Sequence, residues 1–150
     1  MANVTNTTYD GLIRNYAGFH NVRWTLLKAL IQHESNFDLE AVGDGSRARG
    51  LCQMHVEASH DINGHWADYF DPNIPPLDRA AWQVADGAAY FGNQIKHFPT
   101  EEQALVAYNQ GPGVAHNGIR DTRYKQGLKY AYAVKSIEQS YSGPAGNPND

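Results

Sequence analysis

The chain has a single cysteine in 150 residues, Cys52. One thiol cannot close an internal disulfide, so the fold must be held by its core. Cys52 lies in the apolar run Gly50-Leu51-Cys52-Gln53-Met54 and reads as a small buried side chain, not a nucleophile. Basic residues are also in short supply. Twelve Lys and Arg stand against 16 Asp and Glu, for a formal net charge of −4. With no basic patch, nucleic acid is not expected as a partner. No apolar run approaches the roughly 20 residues that a membrane span needs, so a soluble protein is expected. The first ten residues carry neither a basic stretch nor an apolar core, and no secretory signal is read there. No P-loop or dinucleotide fingerprint is present, which removes the usual cradles for phosphate cofactors. His55, His60 and His65 recur every five residues, a spacing that matches no recognised ligand pattern. No metal and no cofactor are therefore expected. Ser35 has neither an elbow motif nor a base beside it, so serine-nucleophile chemistry finds no footing.

What is present is globular. A hydrophobic share of 41% with 11% aromatics suits one packed domain. The expected class is mainly α with at most a small β-hairpin, residues 1–141 forming one domain. The last nine residues, S-G-P-A-G-N-P-N-D, cannot supply a core and are expected to be a disordered tail. A first helix is predicted from Tyr9 to Phe19, with Leu12, Ile13 and Tyr16 inward, and a second from Val22 to Glu34. Ala41 to Arg49 is polar and glycine-rich, a loop or tight hairpin. Gly50 to His55 reads as a helical turn folded back on the second helix. Asp61 to Pro76 is too rich in proline and aspartate for a long helix. Its Trp66, Tyr69 and Phe70 either wall a groove or tuck a long loop onto the core. Asp78 is read as the cap of the next helix, which carries the stripe Val84, Ala88, Phe91, Ile95 and Phe98. Gly87 and Gly92 within it suggest the close approach of another helix. Thr100 and Gln103 have capping-box spacing, and the short helix they start stops at Gly111-Pro112-Gly113. A last helix places Tyr130, Val134, Ile137 and Tyr141 on one face.

One carboxylate breaks this pattern. In the second helix Trp24, Leu27, Leu30 and Ile31 share a buried face, and Glu34 falls in the same arc at about 100° per residue. His33 points the other way. A buried glutamate has a raised pKa, which suits a proton donor near neutral pH. Equally, the helix ends there and Glu34 reaches solvent; the periodicity alone leaves both readings open. Polar groups on two other apolar segments, Gly50 to Gln53 and Tyr108-Asn109, are suited to holding sugar hydroxyls and acetamides while an acid protonates a leaving oxygen.

Glu34-Ser35-Asn36-Phe37, Gly50-Leu51-Cys52-Gln53-Met54 and Ala107-Tyr108-Asn109-Gln110-Gly111 resemble, in order, the signature segments of soluble lytic transglycosylases. That family reads E-S-x-F, G-L-M-Q and A-Y-N-x-G, and belongs with the goose-type lysozymes in the lysozyme-like superfamily. The resemblance extends to Asp71-Pro72-Asn73-Ile74 and to the final tyrosine-containing helix, covering most of residues 20 to 141. It implies a lysozyme-like domain whose partner is the glycan strand of peptidoglycan. Glu34 would be the general acid at the N-acetylmuramic acid–N-acetylglucosamine bond, then the base that closes a 1,6-anhydro ring. Ser35, Gln53, Tyr108 and Asn109 would bind substrate. Cys52 replaces the usual methionine, and His55-Val56 replaces an apolar–proline continuation. Asp44 stands nine residues before Gln53, where goose-type lysozymes carry an aspartate that helps position water. As a second carboxylate it would turn the outcome to hydrolysis, with carboxyls roughly 6.5–9.5 Å apart. Against this, Gly43-Asp44-Gly45 is ordinary turn chemistry. A catalytically idle glycan-binding or virion protein is the reading from another class. A monomer acting on the wall is expected, as a bacteriophage lysis or virion-carried enzyme or a trimmed periplasmic one.

Overall fold

A computed structural model describes residues 6–141; the expected tail lies outside them. Seven helices follow in order among these residues: α1 (Asp10–Phe19), α2 (Trp24–Ser35), α3 (Val56–Asp61), α4 (Pro76–His97), α5 (Glu101–Gln110), α6 (Pro112–Asn117) and α7 (Tyr124–Tyr141). Two short strands, β1 (Val42–Gly43) and β2 (Ala48–Arg49), pair antiparallel with Val42 opposite Arg49. The mainly α class with one small hairpin is what the composition and periodicity predict. No helix among the described residues is long and apolar enough to cross a membrane.

The core forms around α2. Its Leu26, Leu27, Leu30 and Ile31 are fully buried in one cluster with Ile13 and Ala17 of α1, Val84, Ala88 and Phe91 of α4, Leu105 of α5 and Val134 of α7. A smaller cluster joins Phe98, Val106, Val114 and Ala115 under α6. α2 ends where Asn36 turns left-handed (φ 50°), its N–H capping the Gln32 carbonyl. Thr100 accepts from the Gln103 N–H at 3.1 Å, so the predicted start of α5 is in place.

Three local readings need correction. Gly50 to Met54 is not a helical turn. Gly50 (φ 80°) and Gln53 (φ 49°) leave the helical region, and Arg49 and Met54 form a β-bridge instead. The helix comes later, as α3. Asp78 does not cap α4: Pro75 precedes the helix, Pro76 opens it, and Asp78 falls in the first turn. Pro76 has no N–H to satisfy, and the Asp78 N–H donates to the Pro75 carbonyl at 3.0 Å. Gly87 and Gly92 do face close neighbours, but not another helix. A Cβ on Gly87 would collide with Cys52, and one on Gly92 would press on His20 in the α1–α2 turn at 3.1 Å. Of the two readings of Asp61 to Pro76, the tucked loop is the one observed. Tyr69 is fully buried, its hydroxyl donates to Asp86 at 2.6 Å, and Trp66 Nε1 donates to the Met54 carbonyl at 2.7 Å.

Candidate active site

The C-terminal end of α2, the hairpin, the 50–55 loop, α3, α4 and the end of α5 enclose a cavity of about 720 Å³. Glu34, Asp44, Gln53, Tyr108 and Asn109 all line it, although they come from three separated stretches of sequence. Glu34 is therefore neither a helix end in free solvent nor a core residue. Burial pushes its pKa up to about 7, and a hydrogen bond from Tyr130 opposes part of that rise. The Tyr130 hydroxyl donates to Glu34 Oε2 at 3.0 Å. Burial, and then the Glu34 charge, hold the Tyr130 phenol well above its ordinary pKa, so it stays a donor. His33, expected on the far side of α2, packs edge-on against the Tyr130 ring at 5.0 Å between centroids.

Tyr108 donates its hydroxyl to the Cys52 carbonyl at 2.7 Å and sets its ring edge against Phe91. That bond joins α5 to the 50–54 loop, so two of the motif segments support one another. Cys52 is buried, and burial raises its thiol pKa, in keeping with an inert filler. Gln53 is held by its own amide: Nε2 donates to Ala41 O at 3.0 Å and to Gly50 O at 2.9 Å. Asn109 is exposed at the rim and accepts from Gln110 Nε2. Ser35, expected to bind substrate, does not line the cavity. Its hydroxyl spans the Ile31 carbonyl (3.2 Å) and the Leu51 carbonyl (2.8 Å), tying the end of α2 to the loop. A serine at a helix terminus uses its short hydroxyl locally, and here the second acceptor is close enough to claim it.

Both readings of Asp44 have a counterpart in the geometry. It sits in the hairpin turn with left-handed φ of 52°, yet it lines the cavity. Its Oδ2 faces His55 Nε2 at 3.1 Å and Arg47 at 3.4 Å. Tyr130 is the residue the sequence reading did not single out. It was placed on a buried helical face, and the available signal was a phenol in a core, which needs a partner. Among the described residues, no group of three or more His, Cys, Asp or Glu is arranged to hold a metal.

Comparison with known proteins places the chain in a family. The family model "Transglycosylase SLT domain" matches residues 11–131. The fold is also similar to that of an inactive mutant of the lytic transglycosylase Slt from Pseudomonas aeruginosa, with a TM-score of 0.71 and 20% identity. That match covers 91% of this chain but 24% of the other, so this chain spans about a quarter of its length. At such identity the likeness is one of fold, and the family match carries the relationship. With a family model matched over most of its length, the chain belongs to the transglycosylase SLT domain family.

Proposed function

We propose that this domain is a peptidoglycan lytic transglycosylase that cleaves the β-1,4 bond between N-acetylmuramic acid and N-acetylglucosamine, with Glu34 as acid and then base. The observation that carries the reading is a carboxyl protonated up to about pH 7, hydrogen-bonded by Tyr130 and opening on a cavity lined by amides and a phenol. Protonated Glu34 gives its proton to the glycosidic oxygen as the C1–O bond breaks, and the electron pair leaves with N-acetylglucosamine. The substrate's own acetamide stabilises the cationic C1. Ionised Glu34, steadied by the Tyr130 hydroxyl, then takes the proton from the muramyl 6-hydroxyl while O6 bonds to C1. The 1,6-anhydro product forms without water, and Glu34 is again protonated.

Gln53, Tyr108 and Asn109 would hold the sugars, while Ser35 acts as a brace for the loop. In this role the described residues serve as one catalytic domain, working as a monomer on the wall in a phage lysis, virion or periplasmic setting. Asp44 would matter only for the hydrolytic alternative. Its pairing with Arg47 and His55 in an exposed turn favours transglycosylation without it.

The test is digestion of purified cell wall followed by mass spectrometry. Anhydromuramic ends are expected, and Glu34→Gln should slow their release by about 10²–10⁴-fold. Reducing muramic ends that disappear in Asp44→Asn would establish hydrolysis instead. Unchanged release by Glu34→Gln would overturn the assignment altogether.

A further inference from the structure

Two carboxylates on the cavity wall have no part in the scheme above. Glu57 and Asp61 stand four residues apart on α3 and both line the cavity. Like charges at that spacing destabilise a helix, and Asp61 sits at the C-terminal end, where the helix dipole disfavours an anion. Among the described residues neither side chain makes an ion pair or hydrogen bond. His55, the one basic side chain lining the cavity, has its Nε2 turned to Asp44 at 3.1 Å.

A second feature points into the same space. Tyr90 of α4 is 8% exposed and lines the cavity, its ring leaning on Tyr108 with centroids 5.6 Å apart. Its hydroxyl has no partner among the described residues. The hydroxyl atom itself is not fully buried, so it opens on the cavity. Burial, and then the Asp61 charge, raise its pKa, so it keeps its proton and lies within reach of that carboxylate's field.

We propose that Tyr90, Glu57 and Asp61 form a substrate subsite for a positively charged amino group carried by the glycan strand. This inference rests on the function proposed above. Two unpaired carboxylates beside a phenol offer acceptors and negative charge, which an ammonium satisfies better than a hydroxyl does. Neutral sugar edges are already met by the amides of Gln53 and Asn109. A metal ion is a poor alternative, because no group of three or more ligating side chains is present among the described residues. The same wall repels free carboxylates of the strand. The ammonium has two sources in a cell wall: C2 of an N-deacetylated glucosamine, or the side amine of a diamino acid in the stem peptide.

The experiment compares kcat/KM on three substrates: peptide-free, fully N-acetylated strands; the same strands partly N-deacetylated; and peptide-bearing strands with the diamino acid's amine free or chemically acetylated. Wild-type protein should prefer an amine-bearing strand by about fivefold, a typical scale for two partly exposed charge pairs. That preference should shrink in high salt. The arm that shows it identifies the source of the amine. In the Glu57→Gln, Asp61→Asn double variant the ratio of amine-bearing to acetylated substrate should fall to about one. Tyr90→Phe, which keeps the ring, should reduce the ratio in part. Equal kcat/KM on all strands, or a preference that survives the double variant, would overturn the subsite while leaving the transglycosylase reading intact. No cleavage of any strand would instead remove the reading on which the subsite depends.

Discussion

In the proposed reaction Glu34 gives up a proton and then takes one back, and it is held between two opposing influences suited to that. Burial disfavours its charge and lifts its pKa to about 7, while the Tyr130 hydroxyl favours the charge and limits the rise. Since the first step needs the protonated acid, activity should fall as pH rises through about 7. Tyr130→Phe removes the contact that lowers the pKa and leaves burial unopposed. The alkaline limb of the pH–rate profile should then move up by about one unit, and the maximal rate should drop because the ionised intermediate state loses its donor. Anhydro-product formation followed from pH 5 to pH 9 would check this. A limb that stays in place would mean that Tyr130 only fills space. This contact also marks a limit of reading the chain. Periodicity places Glu34 and Tyr130 each on a buried helical face, but it says nothing of those faces meeting across 96 residues.

Five helices, α1, α2, α4, α5 and α7, were legible from apolar stripes or, in α5, from a cap at Thr100, whereas α3 and α6, six residues each, are too short to show a period. The loop between Gly50 and Met54 was not legible either, because its shape is imposed from outside. Gly50 N–H donates to Ala41 O at 2.8 Å, Leu51 N–H to Gln83 Oε1 at 2.8 Å, and these bonds hold backbone angles that local propensity does not favour. The loop rests on α4 at Gly87, where there is no room for a methyl group against Cys52. Gly87→Ala should therefore cost about 1–3 kcal/mol from overpacking, more than the roughly 1 kcal/mol that alanine gains in helix propensity. Gly11→Ala in α1, where an added Cβ meets nothing within 4 Å, should be stabilising. Urea denaturation of the two variants decides the point. If both are stabilised, Gly87 is not a contact the loop depends on. The motif segments were legible for a different reason: their likeness to a family marked Gln53 and Tyr108 before the fold showed one braced on Ala41 and the other on Cys52.

The helices α2, α5 and α7 are joined at the end of α2 away from Glu34. Arg23, just before α2, reaches Glu101 at the start of α5 (2.8 Å) and Glu138 near the end of α7 (2.7 Å). Lys135 joins Glu101 at 2.8 Å, and Thr25 donates to Glu138 at 2.7 Å. A 12-residue α2 puts this clamp roughly 16 Å of helix away from Glu34. Hydrogen bonds from Arg23, and then from Lys135, hold Glu101 down at about 2 against burial. Burial pushes Glu138 up, but Arg23 and Thr25 more than offset it and leave the pKa lowered. Depressed carboxylates stabilise the fold above their unfolded pKa and lose that contribution as pH falls through the folded one. The clamp should thus be fully effective above about pH 5 and gone near pH 2. Both acids are partly exposed, so the solvent-screened loss in Arg23→Met should be about 1–2 kcal/mol at pH 7. The gap from wild type should close as the pH approaches 2. Chemical denaturation at stepped pH would show this, and a gap independent of pH would mean that Arg23 acts through its alkyl stem. Because the clamp touches neither Glu34 nor Tyr130, Arg23→Met should leave the alkaline limb of the activity profile where it is. A lost clamp and a lost donor are then told apart, one moving stability in acid and the other moving the titration of Glu34.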